Sequence, residues 1–257
     1  MFHLTKHYFD AIDTAGNTAI LYAGTLRIFF IKIPFSSCIL CNANADVHET
    51  GVLKKAETTL NGRISFAQKR INIDASWEPI DMPISEKLHT LSNKNLVWHC
   101  HTPKAIAHIN INEKKIEGLG YCETIQLPFF PWKLNIDQLK WGRFLSEKNT
   151  IIWIEWVGRT ALKKIYRNGQ VCTDVEIGEN GLTFRNENLR LIFGKKQTIR
   201  NNPLASIAER HPILKLIFRK SFLQSREVKY KSASTLVEND EIIDEGWSLF
   251  EIVNWKQ

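Results

Sequence analysis

The 257-residue chain lacks the marks of several large protein classes. It has no apolar run long enough to cross a bilayer. The most apolar window, Leu26 to Leu40, is interrupted by Arg27, Lys32 and Pro34, too short and too charged for a membrane-spanning helix. The start, Met1-Phe-His-Leu-Thr-Lys, lacks the basic-then-apolar order of a secretion signal. There is no glycine-rich phosphate loop, no dinucleotide fingerprint and no serine in a nucleophile elbow. Nucleotide-dependent chemistry and a serine triad are therefore not expected. Cysteine is scarce and odd in number: Cys38, Cys41, Cys100, Cys122 and Cys172. That is no disulfide framework, and it predicts a soluble protein of the reducing cytoplasm. Cys38 and Cys41 form a C-x-x-C, but no second pair completes a zinc site. No strand-to-helix context makes it a redox motif either, so the two read as packed thiols.

A strong charge bias is also missing. The chain has 34 basic and 27 acidic residues, a formal net charge of +7. The basic residues are scattered, and the densest cluster, Arg219-Lys220 to Lys231, is interleaved with apolar ones. This reads as a solvated basic face and not a nucleic-acid site. A transient contact with an anionic membrane surface is compatible with the net charge. With 44% hydrophobic and 24% charged residues, the composition is that of a folded protein.

What is present is strand signal. Thr18 to Ala23 and Leu26 to Ile33 are rich in β-branched and aromatic residues. Arg63 to Ala67 and Arg70 to Asp74 alternate apolar and polar. Leu96 to His101, Ala105 to Ile111 and Lys115 to Tyr121 read as a meander, the last two joined at Asn112. Beyond the proline-aromatic segment Pro128 to Trp132 come Ile151 to Val157, then Ala161 to Arg167 leading into Asn168-Gly169, a strong hairpin signal. Asp174 to Ile177, Leu182 to Phe184, Leu189 to Phe193, Lys229 to Ser232 and Gly246 to Trp255 complete the set. One helix is predicted from Pro203 to Glu209, ended or kinked by Pro212, and a second, short one around Leu214 to Leu223. The strand signals fall into two groups. The predicted fold is mainly β, two antiparallel barrel or sandwich halves packed side by side, residues 1–130 and 131–257, meeting near residues 124 to 150.

The stretch from Trp98 to Trp156 is dense in aromatics and holds one conspicuous acid, Glu123, in Gly118-Leu-Gly120-Tyr121-Cys122-Glu123. A carboxylic acid placed in an aromatic cavity is kept neutral by burial and becomes a proton donor. Tyr121 and Glu123, two apart, share one face of a strand. The alternative is a structural ion pair of Glu123 with Arg143 or Lys104. His99 and His101 form H-x-H on one strand face, with His108 nearby and Trp98 and Cys100 facing the other way. Without a convincing third ligand the pair predicts no metal; hydrogen-bonded or solvent-facing histidines are the simpler expectation. In Trp141-Gly142-Arg143 the tryptophan packs, the glycine allows close approach and the arginine clamps a carbonyl or carboxylate at the domain junction. Trp153 and Trp156 are expected to fill the core between the halves. Glu251 is a second acid on an apolar strand, either a partner of Arg143 or a site group.

Tyr8-Phe9-Asp10-Ala11, Trp98 to Ala105, Gly118-x-Gly120-Tyr121-x-Glu123, Leu139-x-Trp141-Gly142-Arg143-Phe144, Val228 to Ser232 and Gly246-Trp247 to Trp255 occur in an order that resembles one family. It is the hydroxyneurosporene synthase or carotenoid 1,2-hydratase-like family, which includes the AttH-like proteins. The resemblance implies two lipocalin-like barrels in tandem and cofactor-free chemistry on isoprenoid or polyene double bonds. It puts Glu123 in the position of the proton donor, with Tyr121 and Trp98 as the tyrosine and tryptophan that line the site. His99, His101, Trp141, Arg143 and Glu251 are the expected substrate-binding residues. Glu123 stands where the carotenoid hydratases carry Asp, and His7-Tyr8 where they often begin with paired tryptophans. The chain is also short for that group. These departures point away from a forty-carbon carotenoid. Two expectations result: a cofactor-free hydratase, isomerase or cyclase, or a non-catalytic carrier of a hydrophobic small molecule in the same cavity.

Overall fold

The computed structural model describes residues 1–205 and 218–256 of the protein. The chain divides into two compact units, Met1–Pro131 and Trp132–Gln257. The architecture is mainly β, two curled antiparallel sheets in tandem, as the lipocalin-like expectation has it.

The first unit contains β1 (Phe2–Ile12), β2 (Thr18–Ile28), β3 (Ile31–Cys41), β4 (Val47–Val52), β5 (Glu57–Thr59), β6 (Ile64–Gln68), β7 (Ile73–Pro79), β8 (Ile84–Leu91), β9 (Lys94–Ile111) and β10 (Lys114–Leu127). They are ordered β4-β3-β2-β1-β10-β9-β7-β6-β5, with β8 also on β9. The second unit contains β11 (Ile136–Ser146), β12 (Thr150–Gly158), β13 (Leu162–Arg167), β14 (Gln170–Val171), β15 (Val175–Ile177), β16 (Gly181–Phe184), β17 (Leu189–Phe193), β18 (Gln197–Pro203), β19 (Arg226–Glu238) and β20 (Glu241–Asn254). Its order, β14-β13-β12-β11-β20-β19-β17-β16-β15 with β18 on β19, repeats the first strand for strand.

Each sheet closes on its own apolar core. In the first, Phe9, Leu21, Phe66, Trp77, Ile109 and Cys122 meet. In the second, Phe144, Trp153, Phe184, Leu191, Leu236 and Phe250 do. Trp153 packs on Phe193 and Phe250, with ring centroids 5.8 and 6.2 Å away. It is therefore a core residue of its own half and not filler between halves. Trp156 is also buried, on the other face of β12 by strand alternation.

Three strand expectations and one helix boundary change. Arg70 to Asp74 is not one strand: Lys69–Ile71 forms a 3-10 turn and β7 begins only at Ile73. Leu26 to Ile33 is not one strand but the end of β2, a two-residue turn at Phe29-Phe30, and the start of β3. Two phenylalanines give no turn signal, because hairpin tips ordinarily use Asn, Asp or Gly. Leu96 to His101 and Ala105 to Ile111 are one eighteen-residue strand, β9, with an irregularity in the middle. Pro203 ends β18 opposite Arg226, since a strand end tolerates a residue with no N–H, and helix is entered two residues later than expected, at Ala205. The remainder of that predicted helix from residue 206, and Pro212, lie outside the described residues. Of the second predicted helix, Lys220–Leu223 is helical. Among the described residues no helix is long and apolar enough to cross a membrane.

Candidate functional site

On β10, Tyr121 and Glu123 point to the same side. Tyr8 of β1 lies directly opposite Glu123, and Asp10 opposite Tyr121. Tyr22 of β2 lies opposite Tyr8, and Cys100 of β9 opposite Glu123. Residues directly opposed across a sheet share a face. Phe9, Leu21 and Cys122, one position along, belong to the apolar core, so Glu123 looks away from that core.

This second face is buried as well. Glu123 is 3% exposed, Trp98 and Asp10 0%, Tyr121 1%. A buried carboxyl must be hydrogen-bonded, and here two donors converge on one oxygen. Trp98 Nε1 donates to Glu123 Oε2 at 2.6 Å, and the Tyr121 hydroxyl donates to the same atom at 2.5 Å. Burial, reinforced by the neighbouring Cys100 and Glu123, pushes the Tyr121 phenol well above its ordinary value. The Cys100 thiol is likewise raised by burial and then by Glu123. Both groups keep their protons near neutrality, so Tyr121 remains a donor. Next to this pair, the Tyr8 hydroxyl donates to Asp10 Oδ2 at 2.9 Å. The Tyr8 ring meets Tyr121 and Tyr22 edge-on, at 6.0 and 5.5 Å.

Two local features create this arrangement. Gly120 pairs with Ala105 and Glu123 with Cys100, so β9 carries two more residues than β10 over the same interval. One extra residue falls between Thr102 and Ala105, where Pro103 has no N–H to contribute to a ladder, and the other is His101, between Cys100 and Thr102; such bulges re-aim side chains. Gly120 itself has no room for a side chain. A Cβ there would sit 2.5 Å from the Asp10 carbonyl oxygen and 2.6 Å from Trp77 Nε1, the pair joined by a 2.8 Å hydrogen bond.

His99 and His101 share a face, with ring centroids 4.3 Å apart, as their spacing predicts. It is the opposite face from Trp98 and Glu123. His101 Nε2 and His7 Nδ1 each lie 2.7 Å from the Thr124 hydroxyl. Burial, with His99 and His7 as neighbours, lowers the His101 pKa to about 4, and burial with Lys55 lowers that of His7. The pair therefore belongs to a hydrogen-bonded histidine group on the core side. Among the described residues no three His, Cys, Asp or Glu side chains are grouped as metal ligands.

Trp141, Arg143 and Glu251 lie in the second unit. Gly142 allows close approach there: a Cβ would be 2.3 Å from the Trp153 ring and 2.5 Å from Phe250. Trp141 is half-buried opposite Glu251. Arg143, 2% exposed, donates from Nη1 to the Trp247 carbonyl at 2.9 Å, a carbonyl clamp within the second unit. Glu251 pairs with Lys229, its neighbour across β19 and β20. Lys229 also faces Glu227 at 3.5 Å, and Glu227 faces Arg200 at 3.3 Å. Glu251 thus sits in a nearly buried ion network.

Tyr8 and Asp10 entered the sequence reading only through the family resemblance, and neither they nor Tyr22 were expected at the site. The signal was present: Tyr8-x-Asp10 has the same period-two spacing as Tyr121-x-Glu123, and the two strands pair. Glu227-x-Lys229 was the corresponding signal for the buried ion network.

No family's sequence profile matches the chain, and no curated protein sequence matches it. Solved structures do. CghA with Sch210972 is similar with a TM-score of 0.62 at 10% identity, over 99% of this chain and 89% of that one. An AttH-like protein of Nitrosomonas europaea gives 0.58 at 8%, over 100% and 93%. Kievitone hydratase of Nectria haematococca gives 0.56 at 8%, over 98% and 88%. At such identities the likeness establishes the shared tandem lipocalin-like fold.

Proposed function

We propose that the protein is a cofactor-free hydratase, isomerase or cyclase acting on an isoprenoid or polyene double bond, with Glu123 as the proton donor. The observation that carries this reading is the convergence of Trp98 Nε1–H and the Tyr121 hydroxyl on one oxygen of a buried glutamate. Oε2 accepts both bonds, and Glu123 in its acid form supplies the proton. It passes to one alkene carbon as the π bond breaks, and the neighbouring carbon becomes cationic. Negative charge then develops on the carboxylate, where the two hydrogen bonds strengthen, since charge-assisted bonds are roughly twice as strong as neutral ones. They are worth more in the transition state than in the ground state, which is what accelerates a reaction. The π faces of Trp98 and Tyr121 stabilise the cation by about 0.5 to 2 kcal/mol each. Water adds to the cation and returns its proton to the carboxylate, or an internal double bond captures the cation and closes a ring, and the new cation loses a neighbouring C–H proton to the carboxylate as a double bond forms.

The fold is compatible with this chemistry: one protein that shares it is named a hydratase of kievitone, and another was solved with Sch210972. The test is native mass spectrometry of the purified protein after incubation with a cell lipid extract. A bound lipid and its product heavier by one water support hydration, and an isomer of unchanged mass but altered chromatographic retention after release supports cyclisation. A lipid recovered chemically unchanged identifies a carrier and overturns the catalytic reading.

A further inference from the structure

The hairpin between β2 and β3 ends in Phe29-Phe30, closed by the pair Ile28 and Ile31. Both tip side chains stand in solvent, Phe29 at 71% and Phe30 at 94% exposed. Phe29 also has φ +53, a conformation that is an outlier for a bulky residue and is ordinarily given to glycine in such turns. Its N–H is held by the Met1 carbonyl at 2.7 Å. Other hairpin tips use small polar residues at positive φ: Ser92-Asn93, Asn112, Asn168-Gly169 and Asn239-Asp240. Phe29 is the one aromatic residue with positive φ among the described residues. Folding gains nothing from leaving two phenyl rings in water on a strained turn, and strain of this kind persists where function requires it.

The charge next to the tip indicates what covers it. Arg27 and Lys32 face each other across the hairpin immediately behind the rings. They border a recess of ≈ 430 Å³ that also includes His3, Thr25 and Phe29, and no acidic residue lines it. Apolar rings at a projecting tip with cations one step behind match the layering of an anionic bilayer. Its acyl region accepts the rings, and its phosphates lie at the depth of the cations. A protein partner would need a concave apolar socket with an acidic rim; a membrane supplies both requirements without a specific shape.

We infer that the Phe29-Phe30 hairpin is a membrane-docking wedge that inserts into the interface of an anionic lipid surface. The inference rests on the tip alone and is independent of the chemistry at Glu123. The experiment is co-sedimentation of the full chain with phosphatidylcholine vesicles, with and without phosphatidylserine. The wild type is expected to bind the phosphatidylserine vesicles and to release at high salt. Phe29→Gly with Phe30→Ser should reduce binding at least about tenfold while keeping or raising the melting temperature, because glycine relieves the strain at φ +53. Arg27→Gln and Lys32→Gln should each weaken binding by about fivefold. A wild type that stays in the supernatant with both vesicle types overturns the inference, as does a Phe29→Gly/Phe30→Ser protein that binds equally well. A tip-dependent dimer in sedimentation velocity, without vesicle binding, replaces it with a self-association surface.

Discussion

Trp98 and Glu123 are not register partners, yet the indole N–H reaches the carboxyl oxygen at 2.6 Å. Trp98 lies opposite Ile125 and Glu123 opposite Cys100, so the contact runs diagonally between strands. Diagonal neighbours are about 7 to 8 Å apart, within reach of aromatic side chains. Tyr121 approaches the same oxygen along β10 itself. The carboxyl is fixed from two directions, across the sheet and along the strand. That is why this acid has one orientation.

Removing the acid while keeping the shape is the most direct prediction. Glu123→Gln retains an oxygen for both donors, so ligand binding should persist. Turnover should fall by about 10²- to 10⁴-fold, the usual contribution of general acid catalysis. Trp98→Ala should weaken binding and turnover together, because it deletes apolar area as well as a donor. Steady-state kinetics and ligand titration on both variants check this. A Glu123→Gln enzyme with near-normal turnover eliminates the proposed mechanism.

The shared oxygen predicts coupling between the two donors. Tyr121→Phe should destabilise the fold by about 1 to 3 kcal/mol, the effect of unmaking a hydrogen bond to a buried or charged group. Trp98→Phe removes the other donor and also changes the packed volume. Since both bonds end on Oε2, the double variant should depart from the sum of the singles by more than about 0.5 kcal/mol, the spread expected of independent sites. Urea denaturation of the four proteins gives the answer; additivity would mean that the bonds act separately.

Gly120 should tolerate no side chain. Gly120→Ala puts a Cβ against the Asp10 carbonyl and the Trp77 indole nitrogen, at the hydrogen bond they share. The expected loss is about 1 to 3 kcal/mol, as for other overpacked sites. Tyr121 and Glu123 follow on the same strand, so activity should fall with stability. A Gly120→Ala protein with unchanged denaturation midpoint and activity would contradict the geometry.

His101 predicts a dependence of stability on pH. Its folded pKa is lowered to about 4 from the ordinary 6.5 by burial and then by His99 and His7. Between these values the unfolded chain binds the proton more readily, so stability contributed by the neutral imidazole is full above about pH 6.5. It is lost progressively as pH falls toward about 4. His101 is only half-buried, and solvent screening reduces the effect to about 1 to 2 kcal/mol. Urea midpoints at pH 7.5 and 5.0 should differ less for His101→Gln than for wild type. An identical difference in both proteins would remove His101 from the effect.

Period-two alternation and β-branched content sufficed to identify an all-β chain in two parts, and the hairpins at Asn112 and Asn168-Gly169, because a strand's faces and its turn residues are local properties. The pairing of Tyr121 with Glu123 on one face was equally local, as was the opposed facing of Trp98 and His99. Three things were not. The Phe29-Phe30 turn defeats local reading because it violates the turn preference that makes tips recognisable. The continuity of β9 through Pro103 depends on a bulge that β10 absorbs. The partners of the acids depend on which strands become neighbours. Glu251 faces Lys229 because β20 pairs with β19, whereas Glu123 receives Trp98 because β10 pairs with β9. The sequence by itself determined the strand periodicity, the absence of nucleotide and serine-triad motifs, and the candidate acid with its tyrosine. Tertiary structure decided that Trp98 donates a hydrogen bond to that acid, that His99 and His101 face the core side with His7, and that Asp10 and Tyr8 stand beside the acid. Strand order and register are set by contacts between residues well separated in the chain, 25 positions for Trp98 and Glu123 and more than a hundred for Tyr8 and Glu123, and the spacing along any one segment does not contain them.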